Sequence, residues 1–245
     1  MSPSGSSGPG SAGTETGPRA VIEFLRGYEG YLGDWLVEMS IASLRTLELM
    51  LVAFCLACAI GMVVALLRIS RFGPASALAR LYIGFFRGVP VLVILYWIYY
   101  ALPEMGYEVL VISSYTAAVL GLGIHGGAFL AEVFRSGIES LHRGQMEAAL
   151  SLGMTPAKAM RWIILPQAIR VVVPPIANYA VGLLKETALC SIIAAPELML
   201  RAKDLASSSF LPMHAFVLAA VFYYVMSFPL MRAAEYLEVR MGRGR

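Results

Sequence analysis

Polar side chains recur at helical spacing within one long apolar segment of the chain. Asn178, Tyr179 and Glu186 supply an amide, a phenol and a carboxylate, and Gly182 leaves a gap between them. Because residues three, four and seven positions apart share one face of a helix, these residues and Leu183 are predicted to line a common face. This set of groups suits a zwitterionic solute, whose ammonium group Glu186 would contact. The pattern predicts a pathway for a small polar solute.

Three further residues are candidates because polar or charged groups inside apolar segments are costly and usually functional. Lys185, next to Glu186, is predicted to point elsewhere, and the two residues could instead form ion pairs at a dimer contact. Arg87 lies about two turns into its segment, where it either lines the pathway or extends to the membrane interface. His125 lies in the glycine-rich stretch GLGIHGGAF, where it either contacts solute or makes a hydrogen bond between closely packed helices.

The cysteines do not indicate a metal or redox site. Cys55 and Cys58 form a C-x-x-C inside an apolar run, and Cys190 stands alone. A zinc or redox role requires an accessible site and, for zinc, further ligands nearby. We therefore predict no metal and no catalytic residue on this chain.

The composition places these candidates in a membrane. Of the 245 residues, 58% are hydrophobic and 14% charged, and the mean hydropathy is +0.71, whereas a soluble domain is about 25% charged. The net charge of +3 is too small to indicate nucleic acid binding. Segments near the roughly 20 apolar residues needed to cross the hydrocarbon core predict an all-α integral membrane protein. Five such segments occur, at about Leu44–Leu67, Leu81–Leu102, Val109–Leu130, Val172–Ile193 and Met213–Ala234. The fourth is interrupted by two prolines and two charges.

The distribution of positive charge predicts the orientation. The loop after the second span holds acids and no base, whereas the loops after the first and third spans and the carboxyl tail are basic. The basic residues are Arg68, Arg71, Arg80, Arg135, Arg143, Lys158, Arg161, Arg170, Arg232, Arg240, Arg243 and Arg245. This pattern places the amino terminus outside and the carboxyl terminus in the cytoplasm of a prokaryotic inner membrane, and only Arg201 and Lys203 oppose it.

The same reading divides the chain into four regions. Residues 1–20 are rich in Ser, Gly and Pro and are predicted to be a disordered tail. Residues 21–43 are mixed and aromatic, as is typical of an interfacial helix leading into the membrane. Residues 44–236 form the membrane domain, and residues 237–245 form a cytoplasmic tail.

A structured cytoplasmic loop, at about residues 135–167, separates the third and fourth spans. Its first part, residues 135–152, is predicted to be a helix that ends at Gly153, since glycine readily takes the left-handed conformation that closes helices. Thr155 fits an N-cap and Pro156 the first helical position of a second helix that runs to Pro166. The loop carries no nucleophile, metal cluster or phosphate-binding loop, so a helix-turn-helix for docking a partner is predicted.

The loop resembles the cytoplasmic signature of ABC importer permeases, which is E-A-A, three residues, G, nine residues and I-x-L-P. The matching positions are Glu147, Ala148, Ala149, Gly153, Ile163, Leu165 and Pro166. The resemblance implies the type I importer permease fold, with five transmembrane helices and a coupling helix that docks on an ATP-binding subunit. Glu147 would then offer a charged contact, and the small alanines would permit close approach.

Other stretches are similar to permeases for polar amino acids. These are FFRGVPVLVILY from Phe85, GAFLAEVFRSGIESLHRGQMEAALSLGM from Gly127 and LLKETALCSIIAAPEL from Leu183. In them Val89 replaces a common Thr, Phe129 a Tyr and Glu186 an Asp. Family members for cationic substrates often carry an acid at the position of Tyr179, so a strictly cationic substrate is disfavoured, while an opine or compatible solute stays open.

The resemblance implies a permease subunit that binds no cofactor itself, because ATP and Mg²⁺ belong to the partner ATPase. Its expected partners are ATP-binding cassette subunits, a second permease copy or homologue, and an extracytoplasmic solute-binding protein. An ion- or proton-coupled secondary transporter is the alternative, with Glu132, His125, Lys185 and Glu186 as a relay. It predicts internal repeats with matching broken helices. A structural or signalling membrane protein would leave the loop signature unexplained.

Overall fold

Helices account for nearly all of the chain that the computed structural model describes, which is residues 18–106, 111–140 and 143–242. Most of the predicted tail and part of the charge pattern, including Glu108, Arg243 and Arg245, lie outside these residues. The helices are α1 Pro18–Arg26, α2 Leu32–Ile69, α3 Gly73–Gly88, α4 Val91–Tyr96, α5 Ser114–Glu139, α6 Arg143–Ser151, α7 Pro156–Ala159, α8 Leu165–Glu186, α9 Leu198–Ser209 and α10 Pro212–Gly242.

The apolar helices match the predicted all-α membrane architecture. Within the described part of the chain, four helical segments are long and apolar enough to cross a membrane: Leu32–Ile69, Ser114–Glu139, Pro156–Ile193 and Pro212–Met241. A fifth span results when the bent pair Gly73–Gly88 and Val91–Met105 is counted as one. The five-span prediction therefore holds with the second span as a bent pair.

The second span is not the straight helix that its hydropathy predicts. Its two halves meet at an angle of 103°. Val89 is extended at the break, with φ −100° and ψ 130°, because a residue before proline is restricted to extended conformations. Pro90, which directly precedes α4, has no backbone N–H with which to continue α3. Beyond α4 the chain continues as a π turn, Trp97–Ala101, and a 3₁₀ turn, Pro103–Met105.

Two helix boundaries differ from those predicted from hydropathy. The predicted lead-in over residues 21–43 is split, because α1 ends at Arg26 and α2 runs unbroken from Leu32 through the boundary at residue 43. Trp35 and Met39 in this extension are buried against the rest of the chain, which stabilises the helix before its most apolar part. Similarly, α5 continues to Glu139 and α6 begins at Arg143, so the helix predicted over residues 135–152 is divided between α5 and α6. The apolar stretch of a segment does not mark the ends of its helix.

Helix α5 lies at the centre of the fold and packs on α2, α3, α4 and α8. Its small residues allow this close approach. A Cβ added at Gly137 would lie 2.0 Å from Val172 Cγ2 of α8, and one at Gly123 would lie 2.5 Å from Leu56 Cδ2 of α2. The predicted close packing of the glycine-rich stretch is thus observed. The contact at Gly137 leaves little space between α5 and α8.

The carboxyl-terminal end of the fourth span is anchored by a buried acid that follows it. Glu197 is 2% exposed, and its carboxylate accepts hydrogen bonds from the Met199 and Leu200 N–H groups at the start of α9 and from the Tyr223 hydroxyl of α10. The Leu198 N–H donates to Thr46 Oγ1 of α2 at 2.9 Å. Since the first N–H groups of a helix have no partner within the helix, these contacts join α9 to α2 and α10.

Candidate functional site

The loop between α5 and α8 presents a short helix that ends in a well-defined turn. In α6, the Gly153 N–H donates to the Leu150 carbonyl at 2.9 Å and the Met154 N–H donates to the Ala149 carbonyl at 3.1 Å. Together with a φ of +78° at Gly153, this is the Schellman arrangement that closes helices. The predicted role of Gly153 as the turn residue is therefore confirmed.

The turn leads directly into the fourth span. The Thr155 hydroxyl accepts a hydrogen bond from the Lys158 N–H, and Pro156 occupies the first turn of α7, as predicted. The predicted end of this helix at Pro166 is wrong, because a π turn, Met160–Ile164, connects α7 to α8 without a break. The wider turn accommodates Pro166, which would clash with the carbonyl four residues earlier in a regular helix. The helical segment that contains span four therefore begins at Pro156, well before the predicted Val172.

The signature residues take different positions within this loop. Glu147 and Ala148 are exposed on α6, whereas Ala149 is 1% exposed because it packs against its own chain. Further along, Ile163 is half-buried and Leu165 and Pro166 are exposed. Gln167 of α8 links the two helices by donating to Gln145 Oε1 at 2.6 Å and to the Ile163 carbonyl at 2.9 Å. Sequence reasoning did not identify this glutamine pair.

Four of the exposed residues of α6 and its turn are together called the loop surface: Glu147, Ala148, Leu150 and Leu152. Leu152 is 82% exposed. Leu150 is 41% exposed, so the surface displays two apolar side chains together with the carboxylate of Glu147. The described residues contain no group of three or more His, Cys, Asp or Glu side chains placed to hold a metal ion. The loop surface is therefore a candidate for contact with a partner protein.

The predicted solute-binding face of α8 divides into two parts. Asn178, Gly182 and Lys185 are all exposed. Lys185 therefore lies on the same side of α8 as Asn178 and Gly182, whereas the sequence predicted that it points away from this face. Tyr179 and Glu186 are half-buried at the edge of this face. Leu183 is fully buried and belongs to the core. The two prolines at 174 and 175 do not interrupt α8.

The half-buried groups of α8 contain polar atoms without hydrogen-bond partners. The Tyr179 hydroxyl and Glu186 Oε2 are buried and make no hydrogen bond to any described residue, and the same is true of His125 Nδ1 on α5. A Cβ added at Gly126, the neighbour of His125, would lie 1.9 Å from the Tyr179 hydroxyl, so only glycine leaves room for the phenol. Buried polar groups are almost always paired, so the unpaired atoms of Tyr179, Glu186 and His125 are candidate positions for contacting a ligand.

Aromatic rings surround the phenol and were not singled out from the sequence. Tyr179 stacks on Phe129 of α5 with ring centroids 5.2 Å apart and on Phe54 of α2 at 6.5 Å. Tyr82 of α3 donates its hydroxyl hydrogen to the Ile124 carbonyl at 2.6 Å, next to His125. In the sequence, the one indication of these aromatic contacts was Phe129 in the stretch GAFLAE.

The remaining candidates lie apart from this cluster. Arg87 is exposed in the last turn of α3, about 21 Å along the helix from Gly73. That separation exceeds the length of an arginine side chain, so Arg87 does not extend back to the loop at Gly73. Among the described residues, no ion pair includes Arg87, Lys185 or Glu186. Helix α8 thus carries a carboxylate and a phenol with unpaired atoms and one exposed cation at Lys185, whereas Arg87 lies on α3.

Comparison with known protein families agrees with this architecture. Residues 57–243 match the family described as the inner membrane component of binding-protein-dependent transport systems. A probable glutamine ABC transporter permease of Bacillus subtilis is 38% identical over 182 residues, which cover 74% of this chain and 83% of that protein. An arginine transport system permease of Corynebacterium glutamicum is 35% identical over 230 residues, covering 89% and 72% of the two chains.

Solved structures show the same likeness. A chain from the crystal structure of an amino acid ABC transporter with histidines superposes with a TM-score of 0.80 and 33% identity, covering 85% of this chain and 96% of that one. The methionine ABC transporter MetNI, solved in inward-facing conformations, matches with a TM-score of 0.64 and 21% identity over 82% of this chain and 97% of that one. The second match bears on the fold alone. These findings confirm the resemblance that the loop signature indicated.

Proposed function

Because this chain belongs to the family of inner membrane components of binding-protein-dependent transport systems, we propose that it carries polar amino acids or related solutes into the cell. Its energy comes from ATP hydrolysed by separate cassette subunits, which bind ATP and Mg²⁺ and dock on the loop surface. ATP binding closes these subunits and moves the loops, which shifts the spans between inward- and outward-facing states.

The loop surface is the observation that carries this proposal. Its helix is closed by Gly153 and tied to span four through Gln145 and Gln167. A force applied to α6 therefore reaches α8, where the proposed pathway lies. The full exposure of Leu152 supports a role for this helix in contacting the ATPase.

The proposed substrate is a zwitterion with a polar side chain. Glu186 Oε2 and the Tyr179 hydroxyl, which have no protein partner, would bind its ammonium and polar groups, with Asn178 and Gly182 beside them. Arg87, Lys185 and His125 are further candidates along the pathway. Relatives named for glutamine and arginine and a neighbour titled as an amino acid transporter support this substrate class.

A second permease, either a copy of this chain or a homologue, would complete the pathway. The exposed stripe of Asn178, Gly182 and Lys185 would be costly against lipid, which supports placing it at the interface between the two permeases. An extracytoplasmic binding protein would deliver the solute from the other side of the membrane.

The proposed orientation has the amino terminus outside and the loop surface in the cytoplasm. The main support is the excess of Lys and Arg in the loop between α5 and α8. Arg201, which opposed this orientation, forms an ion pair with Glu38 at 2.7 Å, and Lys203 donates to Ser191 Oγ at 2.8 Å. The charge of Arg201 is therefore balanced by a carboxylate, whereas Lys203 bonds a neutral hydroxyl, keeps its charge and still opposes this orientation.

The gradient-driven alternative has weaker support. Its relay would include Glu132, but this carboxylate is held by Arg135 at 2.6 Å. The repeats it requires would give matching broken helices, and the described residues contain one bent pair. The comparisons favour the permease over a gradient-driven transporter.

Replacing Leu152 with Asp tests whether an ATPase docks on the loop surface. A charge in place of an exposed apolar anchor should weaken binding of the cassette ATPase by about tenfold, measured by retention of the ATPase on the immobilised permease. Phe210→Asp is the matched control, because Phe210 is 88% exposed beyond the other end of the spans. Equal retention by the wild type and both variants would show that the ATPase does not dock at Leu152.

A further inference from the structure

The start of the fourth span exposes a basic and aromatic face, which we call the Trp162 face: Arg161, Trp162, Leu165 and Ile169. Trp162 is 69% exposed, and Leu165 and Ile169 are each 48% exposed. The Arg161 guanidinium lies 5.6 Å from the centre of the Trp162 ring. We propose that this face binds an anionic phospholipid of the cytoplasmic leaflet, with the headgroup at Arg161 and an acyl chain along Leu165 and Ile169.

The geometry of α8 places this face away from the proposed pathway. At 3.6 residues per turn, Leu165 and Ile169 lie on the opposite side of the helix from Asn178, Gly182 and Lys185. The polar stripe is exposed in the outer half of the span and the apolar stripe in the inner half. If the polar stripe lines the pathway, the Trp162 face is directed toward lipid. This step rests on the proposed function, although the test below measures lipid contact and not transport.

The charge of the segment selects the type of lipid. No Asp or Glu occurs from Ala148 to Lys185, whereas Lys158, Arg161 and Arg170 all lie in this stretch. Basic residues at the cytoplasmic surface attract anionic headgroups, and a tryptophan is favoured at the level of the headgroups. The π turn Met160–Ile164, which contains both Arg161 and Trp162, holds them where the helix enters the membrane. A phosphate-bearing anionic lipid fits both the charge and the apolar stripe.

Fluorescence quenching by brominated lipids tests this proposal. The full-length chain, with the subunits that purify with it, is reconstituted in vesicles of phosphatidylcholine and phosphatidylglycerol, with bromine on the acyl chains of one lipid at a time. The difference in quenching between the wild type and Trp162→Phe isolates the signal of Trp162. Trp97→Phe is the matched control, since Trp97 is 51% exposed and no Lys or Arg occurs between Gly88 and Phe134.

We expect brominated phosphatidylglycerol to quench Trp162 more than brominated phosphatidylcholine does at the same mole fraction. Arg161→Gln should reduce this preference about fivefold, the effect of one basic residue at the surface, and Arg161→Lys should retain most of it. The Trp97 signal should show no preference in any variant. Three results would overturn the proposal. Both lipids could quench Trp162 equally, or the preference could survive Arg161→Gln. Finally, neither lipid could quench Trp162, which would mean that protein covers this face.

Discussion

Replacing Gly153 with Pro is expected to reduce ATP-dependent uptake about a hundredfold while the permease remains folded in the membrane. Gly153 has a φ of +78° and donates its N–H to the Leu150 carbonyl. Proline cannot adopt this φ and has no N–H, so the substitution destabilises the turn by more than about 1 kcal/mol. The Schellman turn that ends α6 would therefore open, and movement of α6 would no longer reach span four. Uptake of labelled solute into vesicles containing the assembled transporter measures the effect.

Gly106→Pro is the matched control for this experiment. Gly106 is also left-handed, with a φ of +83°, and its N–H donates to the Pro103 carbonyl at 3.1 Å. It precedes α5, so it lies at the opposite end of that helix from the loop surface. Its substitution imposes the same local strain without touching α6, and uptake should stay close to wild type. Equal loss in both variants would indicate a general folding defect, and full uptake by Gly153→Pro would contradict the role of the turn.

Replacing Glu186 with Gln is expected to raise the KM for uptake about tenfold to a hundredfold, the usual range for losing a hydrogen bond to a charged group. The amide keeps the shape of the side chain but removes the charge that we assign to the ammonium group of the solute. Solute affinity of the separate binding protein should not change. Initial uptake rates over a range of loaded binding protein give KM and kcat separately.

The control for Glu186 is Glu235→Gln on α10. Glu235 is exposed and pairs with Arg232 at 3.0 Å, so it loses the same charge without affecting the proposed pathway. Glu186 would instead be structural if the Gln variant kept its KM but the two permeases came apart during size-exclusion chromatography. That outcome would favour the ion pair at a dimer contact and would remove Glu186 from the pathway.

The loop was the part of the molecule most accurately predicted from sequence. Thr155, Pro156 and Gly153 have strong local preferences, for an N-cap, a first helical turn and a left-handed turn respectively. Their conformations depend on neighbours within a few residues, so the structure reproduces them. The helix after Pro156 was predicted to stop at Pro166, because a π turn that admits a proline has no comparable sequence signal.

The substrate pathway was less predictable because it depends on contacts between distant segments. Helical spacing placed Tyr179 and Glu186 near Asn178, but it could not show that the first two are half-buried and the third exposed. The room for the Tyr179 phenol comes from Gly126 on another helix. Similarly, hydropathy indicated that Leu81–Leu102 crosses the membrane, but it carries no information on the bend. The Val89–Pro90 pair marks where the helix breaks, whereas the angle of 103° between the two halves also depends on how they pack on α5.

The most direct test of the account is uptake by the reconstituted transporter under two sources of energy. Vesicles would contain this chain, its cassette ATPase and a second permease if one copurifies, with the binding protein and labelled glutamine, arginine or other polar amino acids outside. We predict uptake that requires both the binding protein and enclosed ATP, and that is unchanged when proton and sodium gradients are abolished. Uptake driven by an ion gradient without the ATPase or ATP would contradict the proposed mechanism and favour a relay through Glu132, His125, Lys185 and Glu186.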